Sequence, residues 1–139
     1  MKAYLTRRYL FSASHRLHSP EFSDSENRAV YGKCNNPHGH GHNYTLEVTV
    51  AGQVDAKTGM ICDLVQLDTF VHQEVLERFG HEHLNALPPF ADAVPTTENL
   101  SVELFRILSR FPQATLEKIR LEETMLNSFE YAGGAELKI

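Results

Sequence analysis

The stretch His40-Gly41-His42-Asn43-Tyr44-Thr45-Leu46-Glu47-Val48-Thr49-Val50 decides the fold. Over residues 42–54 apolar and polar side chains alternate. Tyr44, Leu46, Val48 and Val50 face one way; Asn43, Thr45, Glu47 and Thr49 face the other. A period of two is the mark of a half-buried β-strand. His40 and His42 share the parity of Tyr44 and Leu46, so they lie on the apolar side, where an imidazole needs a reason to be. In extended chain, residues two apart point to the same face, about 6.6 Å apart along the strand. Two rings so placed can converge on one ion.

Upstream, residues 4–15 also alternate, with Leu5, Tyr9, Phe11 and Ala13 on one parity and Thr6, Arg8 and Ser12 on the other. His15 ends this strand on the Tyr9–Phe11–Ala13 parity. If the two strands close as a hairpin, His15 lies across from the 40–42 segment. A third nitrogen there completes the three-ligand, one-open-position pattern of catalytic zinc. His38 is an alternative to His40 in that set, or a bystander on the loop. Residues 16–39, between the strands, read as a long polar loop rich in turn formers (Ser19-Pro20, Asn35-Asn36-Pro37), and long ordered loops carry function. Cys34 sits in it. A thiol near a cation or an imidazole ionises more easily and can act as base or nucleophile.

Downstream, residues 64–79 switch to helical spacing through Leu64, Leu67, Val71, Val75 and Phe79, with Asp63 and Gln66 as a capping-box pair. Gly80 and His81 follow that helix. A second helix is expected over 98–111, capped by Thr96 or Thr97 and stopped by Pro112. Residues 115–124 read as a third strand with Ile119 and Leu121 on one face, and Glu123 shares that face. A carboxylate on an apolar face needs a partner, and a ligand with a paired N–H edge would bind it bidentately. Asn127-Ser128 is the expected turn into a fourth strand around 129–139, bent or bulged by Gly133-Gly134. The order is ββααββ, an α+β fold of one domain over 1–139: a four-stranded antiparallel sheet with two helices on one face. Its edge strands invite closure with other subunits. His18, His72 and His83 read as surface residues, and Cys62 as structural.

Composition narrows the function. Lys plus Arg is 13 against 18 Asp plus Glu, for a formal net charge of −5. That balance gives no general affinity for nucleic acid. No apolar run approaches the roughly 18 residues of a membrane span, and no signal-peptide core follows the N-terminus. Two cysteines without CxxC spacing argue against a disulfide framework and for a reducing cytosol. Eight histidines are the conspicuous feature, three of them at 38, 40 and 42.

Taken together, these segments resemble the 6-pyruvoyl tetrahydropterin synthase family across nearly the whole chain. The carriers are Phe11-Ser12-Ala13-Ser14-His15, the block Gly32-Lys33-Cys34-Asn35-Asn36-Pro37-His38-Gly39-His40-Gly41-His42-Asn43-Tyr44, then Thr58-Gly59-Met60, His81, Leu84-Asn85, Phe90-Ala91-Asp92, Thr96-Thr97-Glu98-Asn99 and Glu123-Thr124. The resemblance implies zinc (Zn2+) on His15, His40 and His42, with the position of His38 outside the ligand set. It implies Cys34 and His81 as catalytic residues, Glu123 as pterin anchor, and Thr96, Thr97 and Glu98 lining the pterin pocket. The implied fold is the T-fold, whose trimers close a β-barrel and stack into a homo-oligomeric hexamer, with the catalytic histidine supplied by a neighbouring subunit. The implied substrate is 7,8-dihydroneopterin triphosphate. The implied product is 6-pyruvoyl-tetrahydropterin, or, in the sister activity of queuosine biosynthesis, 6-carboxytetrahydropterin with release of acetaldehyde. The six-position step from Cys34 to His40 favours the pyruvoyl product. One departure stands out: Gly80 occupies the place of the family's usual Asp before its catalytic histidine, where a carboxylate would orient the ring unless Glu82 or Asp92 substitutes. A non-catalytic module that binds zinc and pterin is the reading that this glycine keeps open.

Overall fold

The alternation of residues 42–54 becomes the longest pairing in the molecule. The computed structural model describes residues 1–134. Strand β1 (Lys2–His15) and strand β2 (His40–Gln53) pair antiparallel in unbroken register from Lys2↔Gln53 to His15↔His40. Strand β3 (Thr115–Thr124) pairs with β2, and β4 (Asn127–Tyr131) with β3, giving one antiparallel sheet in the order β1-β2-β3-β4. The inward parity of the sheet, including Phe11, Tyr44, Leu46, Val48, Ile119 and Leu121, is buried. The helices cover that face.

Helix α1 (Asp24–Tyr31) corrects the expectation of an unstructured loop over 16–39. Ser23 and Glu26 form a reciprocal capping box that holds its first turn. The helix shows no apolar stripe, so periodicity could not find it. The expected helix over 64–79 begins as α2 (Leu64–Val71), whose cap is Asp63 alone, accepting from the N–H groups of Val65 and Gln66. It then widens into a π turn (His72–Leu76), where the Glu77 N–H reaches back to the His72 carbonyl, and closes with one turn, α3 (Glu77–Phe79). The cause is in the spacing. Leu67, Val71, Val75 and Phe79 recur every fourth residue, and all four are at most 1% exposed. Four residues advance an α-helix by about 400°, so a strict period of four drifts off the sheet. The wide turn brings it back. Helix α4 (Thr97–Leu108) starts from its Thr96 cap and ends short of Phe111, with Ser109 as C-cap. No helix among the described residues is long and apolar enough to cross a membrane.

Two boundaries move. The β3–β4 turn is Met125-Leu126, so Asn127 and Ser128 belong to β4. Gly133 and Gly134, both with positive φ, follow β4 rather than bulging it. Residues 135–139 of the expected fourth strand lie outside the described residues.

Candidate functional site

Register puts His15 opposite His40 and Ala13 opposite His42. The three rings of His15, His40 and His42 stand edge to face, with centroids 4.7 to 5.1 Å apart. One ring nitrogen from each lies within 4.8 Å of the others. The His15 Nδ1 is 2.8 Å from the Pro95 carbonyl, so Nδ1 carries the proton and Nε2 turns its lone pair inward, 3.2 Å from the His40 Nε2. Asn85 clamps the backbone just beyond: its Oδ1 accepts from the Arg16 N–H and its Nδ2 donates to the Arg16 carbonyl, both at 2.8 Å.

Burial holds the His15 and His40 imidazoles below the ordinary histidine range, and in His40 the neighbouring His42 adds to the effect. Both are therefore neutral, as metal ligands must be. The His40 Nδ1 and His42 Nε2 are buried without a hydrogen-bond partner. Three imidazoles with convergent nitrogens and orphaned ring atoms fit a zinc ion with one open position. His38 is exposed and outside this cluster.

Glu123 reaches the same place by a different device. Glu122 pairs with Ser128 and Thr124 with Asn127, which leaves Glu123 as the extra residue of a β-bulge. Bulges re-aim side chains beside sites. Here the carboxylate accepts a short hydrogen bond from the Thr97 hydroxyl and a long one, 3.5 Å, from Asn127 Nδ2. Its Oε1 stands 4.0 Å from the His42 Nε2. In the sequence Asn127 reads as a turn residue and carries no mark of this contact. The Cys34 backbone is tied to the end of β1, its carbonyl accepting from the Leu17 N–H at 2.8 Å. Its thiol is pushed up by burial and by Glu123. Positive charge brought near the thiol would lower it again.

The other expected residues stand apart. The Thr96 hydroxyl is spent on the α4 cap, accepting from the Asn99 N–H, and Glu98 is exposed in the first turn. His81 is exposed on a left-handed turn, φ 61°, and its N–H donates to the Ser12 carbonyl at 2.6 Å. The segment 81–83 thus runs along the outer edge of β1, where Ser14 bridges to His83. There His81 lines an open groove with Ser12, Ser14 and Asn43, of the opposite parity to the histidine cluster, and with Ala13 and His42 of the same parity. Among the described residues, neither Glu82 nor Asp92 gives His81 a side-chain hydrogen bond. His18 is half-buried rather than a surface residue, with Nδ1 3.0 Å from Asn35 Nδ2.

A family model described as 6-pyruvoyl tetrahydropterin synthase matches residues 4–134. The chain is 43% identical to the 6-pyruvoyl tetrahydrobiopterin synthase of Homo sapiens, over 95% of this chain and 92% of that protein. Its fold is similar to the solved 6-pyruvoyl tetrahydropterin synthase of Caenorhabditis elegans, with TM-score 0.91 at 39% identity, covering 96% of this chain and 97% of that one. A putative 6-carboxy-5,6,7,8-tetrahydropterin synthase of Archaeoglobus fulgidus is 33% identical over 66% of this chain and 72% of that protein.

Proposed function

Because this chain belongs to the 6-pyruvoyl tetrahydropterin synthase family, we propose that it converts 7,8-dihydroneopterin triphosphate to 6-pyruvoyl-tetrahydropterin and triphosphate. The observation that carries this reading is the convergence of His15, His40 and His42 beside the bulged Glu123.

The reaction needs no external redox partner. Removal of the proton at the first side-chain carbon sends an electron pair into the ring, which takes up two protons, and that carbon becomes a ketone. Removal of the next carbon's proton breaks the bond to triphosphate, and the resulting enol becomes a methyl ketone. The protein must therefore hold the ring, acidify two C–H bonds and move protons. Glu123 accepts the paired N–H donors of the pterin. His15, His40 and His42 would hold zinc, which when bound supplies Lewis acidity toward the side-chain hydroxyl oxygens. Cys34, its carbonyl held by the Leu17 N–H just past β1, takes protons from the substrate side chain. His81 serves as its partner from a neighbouring subunit, since in its own chain it lines the outer edge of β1. Thr96 and Glu98 border the pocket at the start of α4 and help shape it. A homo-oligomer is thus part of the proposal, and its free thiols suit a reducing cytosol.

The test is to give zinc-loaded protein the dihydroneopterin triphosphate and identify what forms. Pyruvoyl-tetrahydropterin with triphosphate is expected. Acetaldehyde with a carboxylated pterin would replace this reading with the sister activity. Tight binding without turnover would leave a zinc- and pterin-binding module.

A further inference from the structure

The segment that leaves His15 holds the turn that carries Cys34. Cys34 lies in a short 3-10 turn, Gly32–Asn35. Its own carbonyl accepts from the Leu17 N–H at 2.8 Å. The next residue, Asn35, is buried, and its carbonyl accepts from the Arg16 Nε at 3.2 Å. The Asn35 Nδ2 has two protons and two acceptors: the Leu17 carbonyl at 2.7 Å and the His18 Nδ1 at 3.0 Å. Residues 16–18 thus form a rail that starts at His15 and grips Cys34 and Asn35 along its length. The rail is fixed in turn, because Asn85 takes both backbone groups of Arg16.

The Asn35 amide cannot turn over, since its oxygen would then face the Leu17 carbonyl 2.7 Å away. His18 Nδ1 is therefore the accepting nitrogen, and the ring proton lies on Nε2. Nε2 stands 3.5 Å from the Asn27 Nδ2, whose protons have closer acceptors in the Ser19 and Ser23 carbonyls, at 2.9 and 3.1 Å. Without the His18 acceptor, one proton of a buried amide is left unpaired. That loss is costly enough for the amide, and the turn with it, to shift toward another partner. Resting on the reading of Cys34 as the group that takes protons from the substrate, we propose that His18 is a positioning residue. Through Asn35 it sets where the Cys34 thiol stands relative to the His15 end of the histidine cluster.

The test uses His18→Leu, His18→Asn and His18→Gln in zinc-loaded protein, with 7,8-dihydroneopterin triphosphate as substrate. An asparagine Oδ1 stands as many bonds from the backbone as the histidine Nδ1. Leucine puts a methyl there, and glutamine carries its oxygen one bond further out. His18→Leu and His18→Gln are expected to lower kcat roughly 10–100-fold with KM and zinc content unchanged, and His18→Asn to restore most of the loss. Alkylation of Cys34 by iodoacetamide, read without substrate, should quicken severalfold in the same two variants, while that of the buried Cys62 stays as it was. A histidine that only filled space would be replaced by leucine without loss of kcat. Should His18→Leu fail to fold, the asparagine and glutamine variants decide alone, since both are polar amides that differ in where the acceptor stands. Equal kcat in those two, or KM and zinc affinity worsening in step with kcat, would overturn the proposal while leaving Cys34 in its role. Turnover that survives Cys34→Ala, or that is absent in the wild type, would instead overturn the reading on which the proposal rests.

Discussion

Between Lys2 and Tyr9 the β1–β2 hairpin pairs polar side chains across the ladder and with α2; between His40 and Tyr44 it leaves three buried polar atoms without partners. At the far end the Thr6 and Thr49 hydroxyls meet at 2.7 Å across the pair. Arg7 donates to both oxygens of Asp68, at 2.9 and 2.8 Å, and the Tyr9 hydroxyl donates to the same carboxylate at 2.7 Å. At the near end the His40 Nδ1, His42 Nε2 and Tyr44 hydroxyl are buried without partners, and they are the only such side-chain atoms among the described residues. Both ends share one ladder and one register. Each orphan sacrifices about 1–3 kcal/mol. The contrast teaches where the molecule was selected for stability and where for something that arrives later.

The largest effect should come from breaking the near end. His42→Ala removes one imidazole from the cluster and is expected to strip zinc. Turnover should fall by more than the roughly 10–100-fold that losing a supporting group costs. Because His42 Nε2 has no partner in the free protein, the metal-free variant should unfold no earlier than the metal-free wild type. Metal content and metal-free Tm are the two measurements. Full zinc occupancy in the variant would remove His42 from the ligand set, and a large loss of metal-free Tm would make the near end ordinary structure.

The turn that carries His81 sharpens the contrast, because there the backbone itself is specialised. A Cβ at Gly80 would lie 2.5 Å from the Leu76 carbonyl oxygen, the acceptor of the Gly80 N–H at the end of the π turn. His81 follows in the left-handed region. The aspartate common at this place in the resembling family therefore does not fit this backbone, and supplying it is not a simple repair. Gly80→Asp is expected to lower stability by about 1–3 kcal/mol, as overpacking does, and not to raise turnover. Unfolding curves and steady-state rates decide it. A variant as stable as wild type and faster would show that the turn relaxes and that the missing carboxylate was limiting.

These regions differ too in how much of them the sequence reveals. The parity of residues 9–15 and 42–50 foretells which faces are buried, and the hairpin then brings His15 to His40 with no further information. That logic is local, so it is readable. The bulge at Glu123 is not: parity alone puts Glu123 on the inner face, but its aim depends on where β4 pairs, and the turn lies two residues earlier than the Asn-Ser pair suggests. Helix α1 is missed because its stability comes from capping and from Asn27, which is buried and bonds the Ser19 carbonyl at 2.9 Å and the Ser19 N–H at 2.7 Å, rather than from an apolar stripe. The signal was present in Ser23 and Glu26. The orphaned Tyr44 hydroxyl leaves no sequence mark at all, since alternation assigns tyrosine to the core whether or not its oxygen finds a partner.

The smallest effect tests the satisfied end. The Arg7 guanidinium, helped by the Tyr9 hydroxyl, holds the Asp68 carboxyl down to about 2. A carboxylate whose pKa is lower folded than unfolded contributes stability above its unfolded value of 3.8, and that contribution disappears as pH falls through about 2. The Asp68 side chain is 32% exposed, so the pair is screened and belongs with surface ion pairs of about 0.2–1 kcal/mol. Asp68→Asn should therefore be slightly less stable than wild type at neutral pH, and the two should converge as pH drops from 4 toward 2. Denaturant unfolding at a series of pH values gives the difference. If the gap persisted unchanged at pH 2, packing of Asp68 rather than its charge would be the stabilising element. A gap at neutral pH as large as the loss of a buried partner would mean that the two ends of the hairpin differ less than their hydrogen bonds imply.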